Sequence, residues 1–195
     1  PGRSVQVPKS SARNHDGTAF SVVVAATTDR PRPGSDDLSR AFEDAWIGQR
    51  GYRRADGRWQ TRALAFLGEV TGAEGRQITE LFLLDLPDDL PLPGDGPLEG
   101  TARLMPFPPA GVQQRRLTDT STDSDPGIHG TRHWPRSSPD GSNIGFLKRD
   151  IAGIVQFWLV SPTAGPPQQV SHHPFPVASA FTWHPNGRHV AYIGN

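Results

Sequence analysis

The hydrophobic positions of this chain come mostly in short runs, parted by glycine, proline and small polar residues. Residues 18–28 hold the β-branched run Phe20-Ser21-Val22-Val23-Val24, which predicts a buried strand that Pro31, Pro33 and Gly34 then break. Residues 35–46 follow another rule. Leu38, Ala41, Phe42, Ala45 and Trp46 are spaced i, i+3, i+4, i+7, i+8 and predict a short amphipathic helix. Ser35 would cap it, Asp36 and Asp37 would sit at its positive end, and Gly48 would stop it. Residues 48–61 are charged and turn-like and read as a variable loop. Residues 62–70 and 78–86 predict two strands, joined as a hairpin through the turn at 71–76. Residues 87–111 are dense in proline and glycine and read as a long surface loop, and 113–118 as a short closing strand.

The last third of the chain contains one pattern twice. Trp134-Pro135-Arg136-Ser137-Ser138-Pro139-Asp140-Gly141 leads to Ile144 and Phe146, and Trp183-His184-Pro185-Asn186-Gly187 leads to Val190 and Tyr192. Pro139 aligns with Pro185 and Gly141 with Gly187 at an offset of 46 residues. That offset falls in the range of about 40–50 residues expected of a four-stranded propeller blade. Strands are predicted near 132–138, 143–149, 154–161 and 167–171, then near 179–184 and 189–193. The third, Ile154-Val155-Gln156-Phe157-Trp158-Leu159-Val160, is apolar on both faces, as a strand covered on both sides should be. The fold class that follows is all-β: a partial β-propeller of four-stranded antiparallel blades, with one short helix in an insertion. The chain divides as a single incomplete propeller domain over 1–195, with an insertion-bearing blade at 15–118, a plain blade at 130–172 and a partial blade at 176–195. It reads as an internal piece of a longer protein, so its open blade faces are expected to meet the remainder of the propeller or a second copy.

Composition narrows the function classes. Lys plus Arg equals Asp plus Glu, 20 against 20, which argues against a nucleic-acid binder that needs a basic surface. Gly and Pro together supply 41 residues, a turn content suited to many short strands. The chain has no cysteine, so disulfides and thiolate metal sites are excluded, and cytoplasm and periplasm both stay open. No apolar run approaches the ~18 residues of a membrane span. No G-x-S-x-G elbow, P-loop or G-x-G-x-x-G occurs.

Ser138-Pro139-Asp140-Gly141-Ser142-Asn143-Ile144-Gly145-Phe146, then Gln156-Phe157-Trp158-Leu159-Val160, then Gln169-Val170-Ser171, resembles the repeat of TolB-type propellers. Gln114-Arg115-Arg116-Leu117-Thr118 ends the preceding unit in the same way. The resemblance is fuller to the bacterial YidR-like family of propeller proteins, which has no established activity. It takes in Pro33-Gly34-Ser35-Asp36, residues 39–46, Ala63-Leu64-Ala65-Phe66-Leu67-Gly68, Gly96-Pro97-Leu98-Glu99-Gly100-Thr101, Arg132-His133-Trp134 and Gly153-Ile154-Val155-Gln156.

The candidate chemistry lies near the start of the second unit. Arg132, His133 and Arg136 stand on the leading strand, where the innermost strand of a blade would line a channel. Alternation puts Arg132, Trp134 and Arg136 on one face and His133 on the other. An arginine pair offers planar donor forks to an acidic ligand such as a uronate or phosphate, or forms salt bridges that stabilise the blade. His129 and His133, joined by His172 or His173, form a candidate site for Mn, Ni, Zn or Fe, although no diagnostic spacing links them. Oligogalacturonide lyases, related propellers with a histidine-bound channel metal, give that arrangement a precedent. The alternative is that these histidines serve loop hydrogen bonds. His184 and His189 read as structural, Asp140 as a turn residue, and Trp134, Trp158 and Trp183 as core positions. Two functions remain open, beside a purely structural scaffold with no specific ligand. One is a module that binds a protein, a small molecule or a carbohydrate at the channel mouth. The other is a metal-dependent carbohydrate-active enzyme.

Overall fold

The structure is a computed structural model and describes residues 21–99, 103–128 and 134–195. All twelve elements are β-strands, and no helix occurs among the described residues. Strands β1 (Leu38–Trp46), β4 (Ala63–Thr71), β5 (Gln77–Asp85) and β6 (Gln113–Arg116) form one four-stranded sheet in that spatial order. The short hairpin β2 (Tyr52–Arg53) and β3 (Trp59–Gln60) leaves this sheet between β1 and β4. Strands β7 (Arg136–Ser137), β8 (Ile144–Arg149), β9 (Val155–Val160) and β10 (Gln168–Gln169) form a second four-stranded sheet in sequence order. The hairpin β11 (Thr182–Trp183) and β12 (Val190–Ala191) follows. With the β2–β3 excursion set aside, both large sheets are antiparallel meanders.

The predicted helix at 35–46 is a strand. Its 3–4-residue spacing comes from two irregularities in the β1–β4 pairing. Leu38 pairs with Val70 and Arg40 with Glu69, which leaves Ser39 extra; Glu43 and Asp44 then lie between the Phe42–Leu67 and Ala45–Ala65 pairs. Each insertion switches which positions face inward, so a period of 2 is spread into a helix-like interval. Glu43 takes the left-handed backbone conformation, φ 52°, inside the second bulge. Its Oε2 is buried without a hydrogen-bond partner among the described residues. Of the strand expected at 18–28, residues 21–28 lie within the described residues and carry no ladder. The loop at 48–61 is in part a core element, because Tyr52 is buried with Ile47, Ala65 and Leu83.

The described residues fall into two compact units. The smaller holds residues 21–26 and 86–113. A lone Pro93–Pro109 bridge, Phe107 N–H donating to the Pro97 carbonyl and Phe107 packed against Gly96 shape its loop. The larger unit holds residues 27–85 and 114–195, and with them the layered core.

In β8 and β9 alternation sends Ile144, Phe146, Trp158 and Val160 to one face and Leu147, Val155, Phe157 and Leu159 to the other. The first set packs with Leu67, Leu81 and Leu83 of the first sheet. The second packs with Val177, Phe181, Trp183 and Tyr192 around the β11–β12 hairpin. Phe157 meets Phe181 edge-on at 4.8 Å between ring centroids. Apolar surface covered on both faces is the main force holding the layers together.

A repeated polar clasp closes each large sheet. In the first, Leu81 N–H donates to Thr118 Oγ1 (2.9 Å), and Thr118 Oγ1 donates to the wholly buried Glu80 side chain (2.5 Å). Thr120 N–H, Thr120 Oγ1 and the Arg116 guanidinium complete the donors to Glu80. In the second, Phe157 N–H donates to Ser171 Oγ (2.8 Å), and Ser171 Oγ donates to the wholly buried Gln156 Oε1 (2.6 Å). Beyond each clasp the chain returns to the same strand: Ile128 N–H donates to the Thr79 carbonyl and Val177 N–H to the Val155 carbonyl, both at 2.8 Å.

Thr118→Val should leave the Leu81 N–H without a partner and remove a donor from Glu80, at a cost of about 2–4 kcal/mol. Ser171→Ala should cost about 1–3 kcal/mol by the same reasoning. Urea unfolding measures both. The exposed control Thr163→Ala should stay within about 0.5 kcal/mol of wild type, and clasp variants inside that same range would show that the hydroxyls do not hold the sheets closed.

Candidate functional site

The leading strands of successive layers run side by side: β1 lies against β7, and β7 against β11. Three contacts fix this seam. Gly48 N–H donates to Ser137 Oγ (2.9 Å), Gln49 N–H to the Pro139 carbonyl (2.8 Å), and the Trp183 indole N–H to the Arg136 carbonyl (3.0 Å). The approach is close enough to require glycine. Gly141 has φ 75°, and a Cβ there would collide with the Gly51 carbonyl oxygen.

The two aligned turns repeat in detail. Ser138 N–H donates to the Asn143 carbonyl and His184 N–H to the His189 carbonyl, while Gly141 and Gly187 both have positive φ. Asp140 caps its own turn, accepting from Ser138 Oγ (2.6 Å) and from Ser142 N–H (3.0 Å). The Ser138 hydrogen bond, then the Ser142 N–H, hold its carboxyl below the usual aspartate range against a small opposing effect of burial. Such a group stays ionised and has no role as a general acid near neutral pH.

Arg132, His133 and His129 lie outside the described residues. Arg136 is exposed on β7, and the neighbouring Trp134 is 51% exposed, so Trp134 is a surface residue at the seam and not a core one. Trp158 and Trp183 do pack against the layered core. Trp46, at the end of β1, is exposed as well, but its pairing with Leu64 puts it on the face of the first sheet opposite the Ala63, Ala65 and Leu67 side that meets the second sheet. The seam therefore presents one indole, Trp134 just before β7, and one guanidinium, Arg136. His172 is exposed. His173 stacks on Phe175 (4.8 Å, 4°), shares a hydrogen bond with Tyr192 Oη (2.9 Å), and its backbone is held by Gln156. That is a loop-anchoring role. Among the described residues no three His, Asp or Glu side chains converge as a metal site requires, and no helix is long and apolar enough to cross a membrane.

Two polar groupings were not foreseen from the sequence. Tyr52 Oη donates to Asp85 (2.9 and 3.0 Å), Arg115 donates to Tyr52 Oη (2.6 Å), and Arg54 reaches Asp85 at 3.5 Å. Burial pushes the Tyr52 hydroxyl above its ordinary value, with Arg115 opposing and Asp85 adding to the shift. Tyr52, with Arg54, ties the β2–β3 hairpin to the first sheet. The second grouping is a cleft at the β8–β9 turn, lined from residues 123–125 and 148–151 and by Trp158 and Gln169. Its only sequence signal is the charged stretch Lys148-Arg149-Asp150 at the end of an apolar strand.

No family model matches the chain. The chain is 41% identical over 197 residues to the uncharacterised protein YidR of Escherichia coli strain K12, with 99% of this chain and 45% of that protein covered. It thus spans less than half the length of this curated relative. The similarity supports the expected resemblance to the YidR-like family.

The Asp140 carboxyl should titrate below the ordinary aspartate range when followed by NMR, and Ser138→Ala should move it back up. A carboxyl with a depressed folded-state pKa contributes stability that is present above the unfolded-state value of about 3.9. That contribution is lost as pH falls through the folded-state value. An unshifted Asp140 in the wild type, or no response to Ser138→Ala, would show that the turn does not hold the charge.

Proposed function

We propose that the chain is part of a YidR-like, TolB-type β-propeller that binds a protein, a small molecule or a carbohydrate at the mouth of its central channel. The observation that carries this reading is the seam of β1, β7 and β11. Three successive leading strands lie side by side, with Arg136 exposed on β7 and Trp134 exposed just before it. In a propeller these strands are the innermost of each blade, so their exposed side chains would face the channel. The meander order of both large sheets, the repeated clasp and the repeated turn all support blades as the unit. An exposed indole near a guanidinium suits a ligand that stacks and accepts hydrogen bonds. The competing reading is a metal-dependent carbohydrate-active enzyme. It would draw on His129 and His133 with His172 or His173, and would bind Mn, Ni, Zn or Fe, with Arg132 beside the site.

A thermal-shift screen of sugars and divalent metals, paired with elemental analysis, tests both. A bound ligand at about 100 times its Kd adds about 2.7 kcal/mol of apparent stability. A ligand that raises Tm in wild type and not in Arg136→Ala, with no stoichiometric metal, supports the binding reading. Stoichiometric metal that is lost in His133→Ala supports the enzyme and overturns the binding module. Ligand-induced stabilisation that persists in both Arg136→Ala and Trp134→Ala would place binding away from the seam.

A further inference from the structure

We infer that the cleft at the β8–β9 turn is a binding site for a neutral sugar ring, separate from the seam. Its volume is about 350 Å³, near the lower end of the roughly 300–1,000 Å³ of small-molecule sites. That is room for one or two sugar rings. Three features on its wall define the ligand.

The first is that both of its cations are already paired. Lys148 Nζ lies 2.8 Å from Asp123, and Arg149 Nε lies 3.0 Å from Asp125. The third carboxylate, Asp150, accepts from the N–H groups of Ala152 and Ile154 through Oδ1 and has no cationic partner among the described residues, so one negative charge is left over. An anionic ligand would have to displace one of the paired carboxylates and face Asp150 as well. A neutral ligand would do neither.

The second is that the paired groups keep hydrogen-bonding capacity. A carboxylate offers about four acceptor sites, and a guanidinium five N–H donors. Asp123 spends part of its capacity on Lys148, and Arg149 spends Nε on Asp125 and Nη1 on the Gly153 carbonyl. A vicinal diol donates to the first kind of group and accepts from the second, so it can bridge an ion pair without breaking it.

The third is a small apolar wall. Trp158 is fixed by its indole N–H, which donates to the Lys148 carbonyl (3.0 Å), and Lys148 Nζ stands over its ring, 4.4 Å from the centroid, so the stacking face is taken. Ile151 is almost fully exposed at the lip. The apolar contact open to a sugar's C–H groups is therefore Ile151 with the uncovered part of the indole, while its hydroxyls reach the polar rim. A purely apolar ligand would leave the rim's donors and acceptors unmatched.

The test follows the Trp158 indole N–H resonance of the intact protein during titration with maltose and with cellobiose, and with glucuronate as the charged comparator. At least one neutral disaccharide should give a saturable shift with Kd on the order of 1 mM or tighter, and glucuronate should bind more weakly. Asp123→Asn should weaken binding about tenfold or more. Arg149→Gln alters a half-exposed side chain and should do the same, which keeps the test open if the first variant does not fold. No saturable shift with either disaccharide, unchanged affinity in a folded variant, or glucuronate binding more tightly than both neutral sugars would overturn the inference.

Discussion

Two buried backbone N–H groups, those of Leu81 and Phe157, set a condition that the rest of the larger unit has to meet. Each lies in the third strand of its sheet, where a buried donor left unpaired costs about 1–3 kcal/mol. The fourth strand is too short to satisfy it by backbone pairing alone. A hydroxyl from the second residue past that strand's end, Thr118 or Ser171, accepts instead. Because the hydroxyl also donates to Glu80 or Gln156, it is fixed in direction, and the chain leaving the sheet is fixed with it. That exit leads to Ile128 or Val177, which cover the next apolar face. The two sheets solve one geometric problem with different electrostatics. Glu80 has the guanidinium of Arg116 beside it, whereas Gln156 is neutral and works through its amide.

Layering follows from the clasps. A sheet closed at its fourth strand leaves its leading strand free to lie against the previous layer, and glycine makes that approach possible. Gly141 is both the left-handed residue of its turn and the point where two backbones come too close for a Cβ. The exposed Trp134 and Arg136 of the seam, and the cleft at the opposite turn of the second sheet, are both products of this stacking. One arises where leading strands adjoin. The other arises where the chain leaving the first sheet, at 123–125, passes the β8–β9 turn.

Much of this was legible in the sequence. β4, β5, β8 and β9 were readable because their apolar runs are unbroken and bounded by turns, and the Pro-x-Gly repeat correctly paired the turns at 139–141 and 185–187. The expectation failed where strand regularity fails. β1 imitates a helix because its two irregularities turn alternation into a 3–4 interval, and no local signal marks Glu43 as left-handed. Tyr52 was hidden in a charged stretch whose hairpin carries a single core side chain. The cleft was hidden for another reason. Asp123 and Asp125 sit in a polar turn, Lys148 and Arg149 at a strand end and Trp158 in mid-strand, and only the fold brings them together. Of the histidines, His173 anchors a loop, while His129 and His133 lie outside the described residues.

Residue-resolved amide hydrogen exchange tests the central claim most directly, because it reads the two clasped N–H groups themselves. Exchange of the Leu81 and Phe157 amides should be among the slowest in the protein and should slow together, as groups released only by opening a whole sheet. Exchange at either amide as fast as that of the loop residues 87–111 would contradict the account.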